Sequence, residues 1–442
     1  MSESEAAGTT ASARTSRRAI LAATLGNFVE WYDWFIYALL TPVFAAQIFH
    51  SSSELGSTIQ SLAVFAVGFF VRPLAGALLS PLGDRLGRRA MLTAAILLMA
   101  SGSLIIAVVP TAHSIGILAP VLVLVARIMQ GISTGVEAQN AYTYLVEHGP
   151  AERKGLSGSL MTMTSGLGTL AATGTATLVL AAPEPALHDW AWRVPFAIGA
   201  VLGLIGLVVR LKAEESPAFT KVEQEGRIDK TPIRTVLRKY PWQCVQVIAL
   251  QAVAMVFYIW STYLAQYSNL QSGRPLSEGT VGSLIGLCVY VVAIPLFGYV
   301  SDRWLSRRTL ALMSGVGLVV LLYPLMLLTT VPGFGYFMVA SVVGWILVAL
   351  ASAVYPALFV ELFPPEVRIS GIGLPYQVCT AAIVGTAPLI GALFQDAGKP
   401  NGLAFYAVTV MFVATLVYWT LPRRATTTSA EPIVHEPRAE VN

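Results

Sequence analysis

Charge is what this sequence has least of. Only 12% of its 442 residues are Asp, Glu, Lys or Arg, about half the usual share, while 55% are hydrophobic and the mean hydropathy is +0.67. A soluble globular fold is excluded, and an integral membrane protein is expected. The three cysteines, Cys244, Cys288 and Cys379, lie in apolar stretches without metal or redox spacing, which leaves them as small packing residues. The five histidines fall in predicted loops or in the tail, which argues against a histidine proton relay. No G-x-x-x-x-G-K-[ST] loop is present, so ATP is not the expected energy source. No small-residue cleavage site follows the polar first 18 residues, so the N-terminus is expected to stay. The tail beyond residue 421 has no heptads.

What the sequence does have is apolar runs of about 20 residues, the length that crosses a bilayer. Twelve are legible, at 19–44, 57–82, 90–109, 116–145, 155–182, 193–211, 241–267, 278–300, 309–329, 335–361, 368–393 and 402–421. Arg and Lys cluster on one side of them: Arg14, Arg17 and Arg18 before span 1, Arg85, Arg88 and Arg89 after span 2, and Arg303, Arg307 and Arg308 after span 8. That bias makes this side cytoplasmic, with both termini on it. It also accounts for the net charge of +4 without nucleic acid as a partner.

The polar interval around 212–240 divides the spans into six plus six. The expected organisation is a cytoplasmic tail at 1–18, a six-helix bundle at 19–211, a cytoplasmic linker at 212–240, a second bundle at 241–421 and a tail at 422–442. The halves repeat. SPLGDRLGRR after span 2 corresponds to GYVSDRWLSRR after span 8. Glu147, Pro150 and Glu152 keep the spacing of Glu361, Pro364 and Glu366. Duplicated six-helix halves are the pattern of alternating-access transporters.

The G-x-x-x-D-R-x-G-R-R type of turn, the R-x-x-Q-G of span 4 and the duplication resemble the major facilitator superfamily. GNFVEWYDWFIY, FFVRPLAG, ARIMQGISTGVE, WAWRVPFAIG and EESPAF resemble, more narrowly, its metabolite:proton symporter family. The resemblance implies an all-α membrane protein of twelve transmembrane helices in two pseudo-symmetric six-helix bundles. It also implies a bacterial inner-membrane carrier of 2-oxoglutarate, citrate, shikimate, proline or betaine type. The chain departs from the pattern at Ser80, where the first basic turn usually has glycine, at the longer turn after span 8, and at Val136 before Glu137.

Glu30 and Asp33 stand in the middle of span 1, three residues apart and hence on one helical face with Asn27 and Tyr37. A charge at the bilayer centre costs about 3 kcal/mol on insertion scales, so such residues face a bundle interior or a wet cavity. A carboxylate that takes up and releases a proton there can carry it, whereas the alternative is a carboxylate that only braces a neighbouring helix. Asp33, Glu30 and Glu137 are the candidates for proton coupling, with Asp33 preferred because it lies deeper. Arg127, Gln130, Thr134 and Glu137 form one polar stripe on span 4. Arg127 and Glu137 are separated by about 15 Å along the axis and must each find partners elsewhere. Arg72, followed by Pro73, is the other deeply placed cation. A guanidinium fork bonds both oxygens of a carboxylate, so Arg72 and Arg127 are candidate substrate ligands, although pairing with the span 1 acids is the structural alternative.

The second half offers neutral groups. Gln251, Tyr258 and Gln377, with Tyr37 and Gln130 from the first half, complete the candidate substrate set. Asp84, Arg85, Arg88 and Arg89, with Asp302 and Arg303 in the copy, are expected to form a cytoplasmic gate, in which Asp84 meets a helix N-terminus of the other half. The expectation is therefore a proton-coupled symporter importing a small organic acid by alternating access. A proline/betaine-type symporter and a proton-antiporting exporter are the alternatives. No enzyme activity, cofactor or metal is expected; the partners are a small molecule, a proton and the lipid bilayer, and the protein is expected to be a monomer.

Overall fold

The computed structural model describes residues 3–49, 51, 53–86, 88–148, 151–211, 232–364 and 367–422, with side chains described in these ranges except at 3–23, 77–92, 136–151, 209–211, 232 and 369. Twelve long helices dominate them. The first six are α1 (Glu3–Ile48), α2 (Glu54–Leu86), α3 (Arg88–Val108), α4 (Leu118–His148), α5 (Lys154–Leu180) and α6 (Val194–Leu211). The second six are α7 (Pro241–Ser272), α8 (Leu276–Arg303), α9 (Arg307–Leu328), α10 (Phe334–Leu362), α11 (Ser370–Asp396) and α12 (Gly402–Tyr418). Among the described residues, eight helices are long and apolar enough to cross a membrane, and Thr93–Val108 and Gly402–Tyr418 are shorter apolar ones. α1 and α5, which carry many of the buried polar groups, complete the twelve.

The outer surface is an apolar belt, with Leu74, Val108, Val292 and Val320 each more than half exposed. Polarity is turned inward, as a bilayer solvent demands. In the first half α1 packs on α2, α5 and α6, α2 on α4, and α3 on α4 and α6. In the second half α8 packs on α10, α9 on α10 and α12, and α7 on α11 and α12. The halves meet chiefly where α5 lies along α8. α7 is almost wholly enclosed, whereas α2, α6 and α9 bury less than half of their apolar windows.

Four helices depart from the expected unbroken spans. α1 starts at Glu3, so the polar stretch before residue 19 continues the same helix. α10 breaks between Ser352 and Tyr355, and Pro356 then takes the first turn of the next segment, where its missing N–H leaves no bond unmade. α7 and α11 each contain a π-helical turn, Ile259–Tyr263 and Thr380–Val384, of the kind that often marks functional sites. Within the expected linker, Pro232–Lys239 is a helix, and 212–231 lie outside the described residues.

Glycine sets one contact that the site depends on. A Cβ on Gly131 of α4 would strike the Gly68 carbonyl of α2, and this close approach brings Arg72 and Arg127 to the same tryptophan.

Candidate functional site

A narrow cavity lies between the halves, beside both π-helical turns. α1 contributes Glu30, Trp31 and Trp34 to it, and α2 contributes Arg72. Across it stand Gln251 and Tyr258 of α7 and Tyr376 and Thr380 of α11. Its charged members thus come from the first half and its neutral polar members from the second.

Arg72 is 5% exposed. Its guanidinium carbon sits 3.9 Å from the Trp34 ring centroid and 4.1 Å from that of Phe69. Such cation–π contacts hold a guanidinium without using its hydrogen-bond donors, each contributing about 2 kcal/mol when desolvated. Glu30, Tyr258 and Tyr376 line the same cavity as Arg72. Glu30 and Arg72 thus put an acid and a base on the same cavity. Tyr258 is held flat against Phe35 of α1, with centroids 4.4 Å apart. Gln251 donates to Thr380 Oγ1 at 3.3 Å, while its Oε1 has no partner among the described residues.

Asp33 occupies a different place. It is 1% exposed and does not line the cavity. Its Oδ2 accepts from Ser103 Oγ of α3 at 2.7 Å, and its Oδ1 lies against Gly199 of α6, where a Cβ would collide with it. Gln130 Nε2 donates to the same Ser103 oxygen at 3.0 Å, and Arg127 Nη1 donates to Gln130 Oε1 at 2.6 Å. The wholly buried Arg127 is thus tied to Asp33 through two side chains. Its guanidinium carbon is 3.9 Å from the Trp34 centroid, 4.6 Å from Tyr37 and 4.9 Å from Phe65. Trp34, held by an Nε1 bond to Thr134 Oγ1 at 3.1 Å, touches both guanidiniums and joins the cavity to the buried chain.

The predicted residues are accordingly split. The structure brings Glu30, Arg72, Gln251 and Tyr258 to the cavity and assembles Asp33, Gln130 and Arg127 behind it. Tyr37 belongs to the second group, where it caps Arg127 and exchanges hydrogen bonds with Ser61, donating to its carbonyl at 3.1 Å and accepting from its hydroxyl at 2.9 Å. Gln377 is 1% exposed, lies off the cavity lining, and neither amide atom has a partner among the described residues. The Glu137 and Val136 side chains lie outside the described ones.

At one end of the bundle Asp302 of α8 accepts from the backbone N–H groups of Gly155 and Leu156 at 2.8 and 2.9 Å, capping α5 of the other half. Arg307 donates to Asp302 at 2.8 Å and pairs with Glu361 of α10. Carboxylates at helix N-termini are favoured by the backbone dipoles. Arg303 is exposed instead and lies over the Tyr299 ring at 5.2 Å, so Arg307, from within the second half, is the arginine that steadies Asp302. The side chains of Ser80, Asp84, Arg85, Arg88 and Arg89 lie outside the described ones.

Trp34, Phe69, Ser103, Thr380 and Arg307 are site residues that sequence reasoning missed. Trp34 stands next to Asp33 in the motif already singled out, and that adjacency was the available signal. Among the described residues no group of His, Cys, Asp and Glu could hold a metal ion.

A model of the family described as Major Facilitator Superfamily matches residues 23–289 and 275–441. The chain is similar to the alpha-ketoglutarate permease of Escherichia coli (strain K12), 30% identical over 422 residues that make up 93% of this chain and 96% of that protein. It is also similar to the proline/betaine transporter of Escherichia coli (strain K12), 29% identical over 415 residues, 91% of this chain and 82% of the relative. In three dimensions it resembles the crystal structure of a D-xylose-proton symporter, with a TM-score of 0.69 at 18% identity, over 92% of this chain and 98% of that one.

Proposed function

Because this chain belongs to the major facilitator superfamily, we propose that it is a proton-coupled symporter that imports a small organic acid by alternating access. The observation that carries this reading is the separation of two sets of ionisable side chains, Glu30 and Arg72 lining the cavity and Asp33 linked to Arg127 behind it. Arg72 receives the substrate carboxylate, for which its donors are suited and its aromatic packing leaves them available. Glu30 competes for the same guanidinium and is displaced when substrate arrives. Asp33 carries the proton, and its neutralisation removes a counter-charge from Arg127. Trp34, in contact with both arginines, passes that change to the substrate side. Gln251 and Tyr258 shape the neutral part of the substrate. One net positive charge moving inward through about 100 mV releases roughly 2.3 kcal/mol, and each pH unit adds about 1.4.

The protein is placed in a bacterial inner membrane as a monomer with both termini cytoplasmic, which puts the Asp302 cap on the cytoplasmic side. There it holds the outward-facing state, and Asp84 does the same from the first half. The two bundles 19–211 and 241–421 are the rocking bodies, joined by the cytoplasmic linker.

One observation favours a second reading. Glu30 and Arg72 together, beside Trp31, Trp34, Tyr258 and Tyr376, also suit a zwitterion whose cationic end lies among aromatic rings. Purified protein in liposomes on a sensing electrode, pulsed with 2-oxoglutarate, citrate, shikimate, proline and betaine at pH 6 and pH 8, separates the two. Currents for one acid that grow at the lower pH support the first reading. Silence with every acid and current with betaine or proline replaces it with the second.

A further inference from the structure

Arg127 fixes the direction of every hydrogen bond between itself and Asp33. A guanidinium has donors only, so the Gln130 atom facing Arg127 Nη1 at 2.6 Å is the amide oxygen. The amide nitrogen is then the atom facing Ser103 Oγ at 3.0 Å, and Ser103 must accept there. Its single hydrogen is left for another acceptor. Two are in reach: Asp33 Oδ2 at 2.7 Å and, one turn back on its own helix, the Met99 carbonyl at 3.2 Å.

We propose that Ser103 is a hydroxyl switch that lets Asp33 take up and give back a proton without moving any side chain, and that Gln130 sets its polarity and ties it to Arg127. This rests on the reading in which Asp33 carries the proton; Ser103 and Gln130 are positioning residues that act through it. While Asp33 is charged, the Ser103 hydrogen points at Oδ2. When a proton arrives on Oδ2, that O–H donates to the second lone pair of Ser103 Oγ, and the Ser103 hydrogen turns to the Met99 carbonyl. The Gln130 bond persists in both states, and neither Ser103 nor Asp33 strands a donor in either. A proton on Oδ1 would instead be a buried donor without an acceptor, since that oxygen lies against Gly199 and has no partner among the described residues.

The surroundings keep the switch responsive to this one carboxyl. α4 presents Arg127, the charge acting on Asp33 through the chain. α1 presents Tyr32, whose hydroxyl is committed to the Pro195 carbonyl of α6 at 3.0 Å. α5 brings only the Thr175 hydroxyl, 3.4 Å from Tyr32. The stretches of α3 and α6 at the contact, around Ser103 and Gly199, contain no charged side chain.

The test measures proton-driven uptake against pH in proteoliposomes, together with substrate exchange across equal pH, for the unsubstituted protein, Ser103→Ala and Ser103→Thr. The probe is whichever acid the electrode measurement identifies. Ser103→Ala removes the donor from the charged carboxylate, so its uptake profile is expected to move to higher pH by about one unit, the size of one ordinary hydrogen bond. Exchange stays within about two-fold, because Arg72 and the cavity are untouched. Ser103→Thr keeps the hydroxyl and the original profile. A Ser103→Ala profile coincident with that of the unsubstituted protein overturns the proposal, as does a Ser103→Thr profile displaced like that of Ser103→Ala. If Ser103→Ala also loses exchange, Ser103→Cys, with its weaker donor, takes its place with the same outcomes. An unsubstituted protein whose uptake ignores pH fails the functional reading itself, and that result is seen before any variant is made.

Discussion

The two halves of the molecule keep their interior polarity in different forms. In the first half ionisable groups stand inside the bundle: the part-buried Glu30 and the buried Arg72 at the cavity, and Asp33 and Arg127 behind it. In the second half the cavity lining is amide, phenol and hydroxyl, from Gln251, Tyr258, Tyr376 and Thr380. Its least exposed described acids, Asp302 and Glu361, are at the bundle end, both paired with Arg307. Neutral groups can shape a substrate but cannot exchange charge with a proton. On the proposed reading a duplicated fold is divided into a half that couples and a half that fits, even though the backbone plan of the two is the same.

The comparison can be broken most forcefully at Arg72. Arg72→Gln keeps the volume but removes the charge and the fork, and uptake is expected to fall about 100-fold or more, with Arg72→Lys recovering little. Uptake retained by Arg72→Gln would move the acid's receptor elsewhere. Trp34→Ala removes the ring shared by both arginines and is expected to lower proton-driven uptake about 10-fold, while Trp34→Phe recovers most of it. At the inter-half contact, Asp302→Ala and Arg307→Ala are expected to lower uptake about five-fold, and Arg303→Ala less than about two-fold, since Asp302 caps the helix of the other half and Arg307 holds Asp302 in place, whereas Arg303 is exposed. The smallest effect is expected in the second half, where Gln251→Ala raises KM about three-fold by removing one hydrogen bond, with kcat little changed. Radiolabelled uptake in proteoliposomes measures all of these. A Gln251→Ala loss as large as that of Arg72→Gln would erase the asymmetry.

The twelve helices were legible because a bilayer leaves few alternatives for apolar runs of that length. The break in α10 was less so, since Pro356 sits inside an otherwise unbroken apolar run. The separation of Glu30 from Asp33 was not legible at all. Three residues along a helix leave two side chains about 60° apart around the axis, close enough to share a face by pattern. α1, however, is surrounded by α2, α5, α6 and the second half, so 60° is enough to point one carboxylate at the cavity and the other at α3. Trp34 and Ser103 were hidden for a related reason. Aromatics and small hydroxyl residues are routine packing in membrane helices, and only their distances to charged partners give them a role. Glu30, Arg72 and Gln251, which line the cavity, were legible as candidates because a charge or a polar amide in an apolar span is itself a signal.

The central claim is that Asp33 carries the proton while Arg72 holds the substrate. The most direct measurement compares Asp33→Asn with the unsubstituted protein in two modes, uptake driven by a proton gradient and exchange of labelled for unlabelled substrate across equal pH. Proton-driven accumulation is expected to be lost and exchange to stay within about three-fold, because the amide keeps the Ser103 contact while being unable to titrate. Accumulation that persists in Asp33→Asn and follows the proton gradient as before would contradict the account.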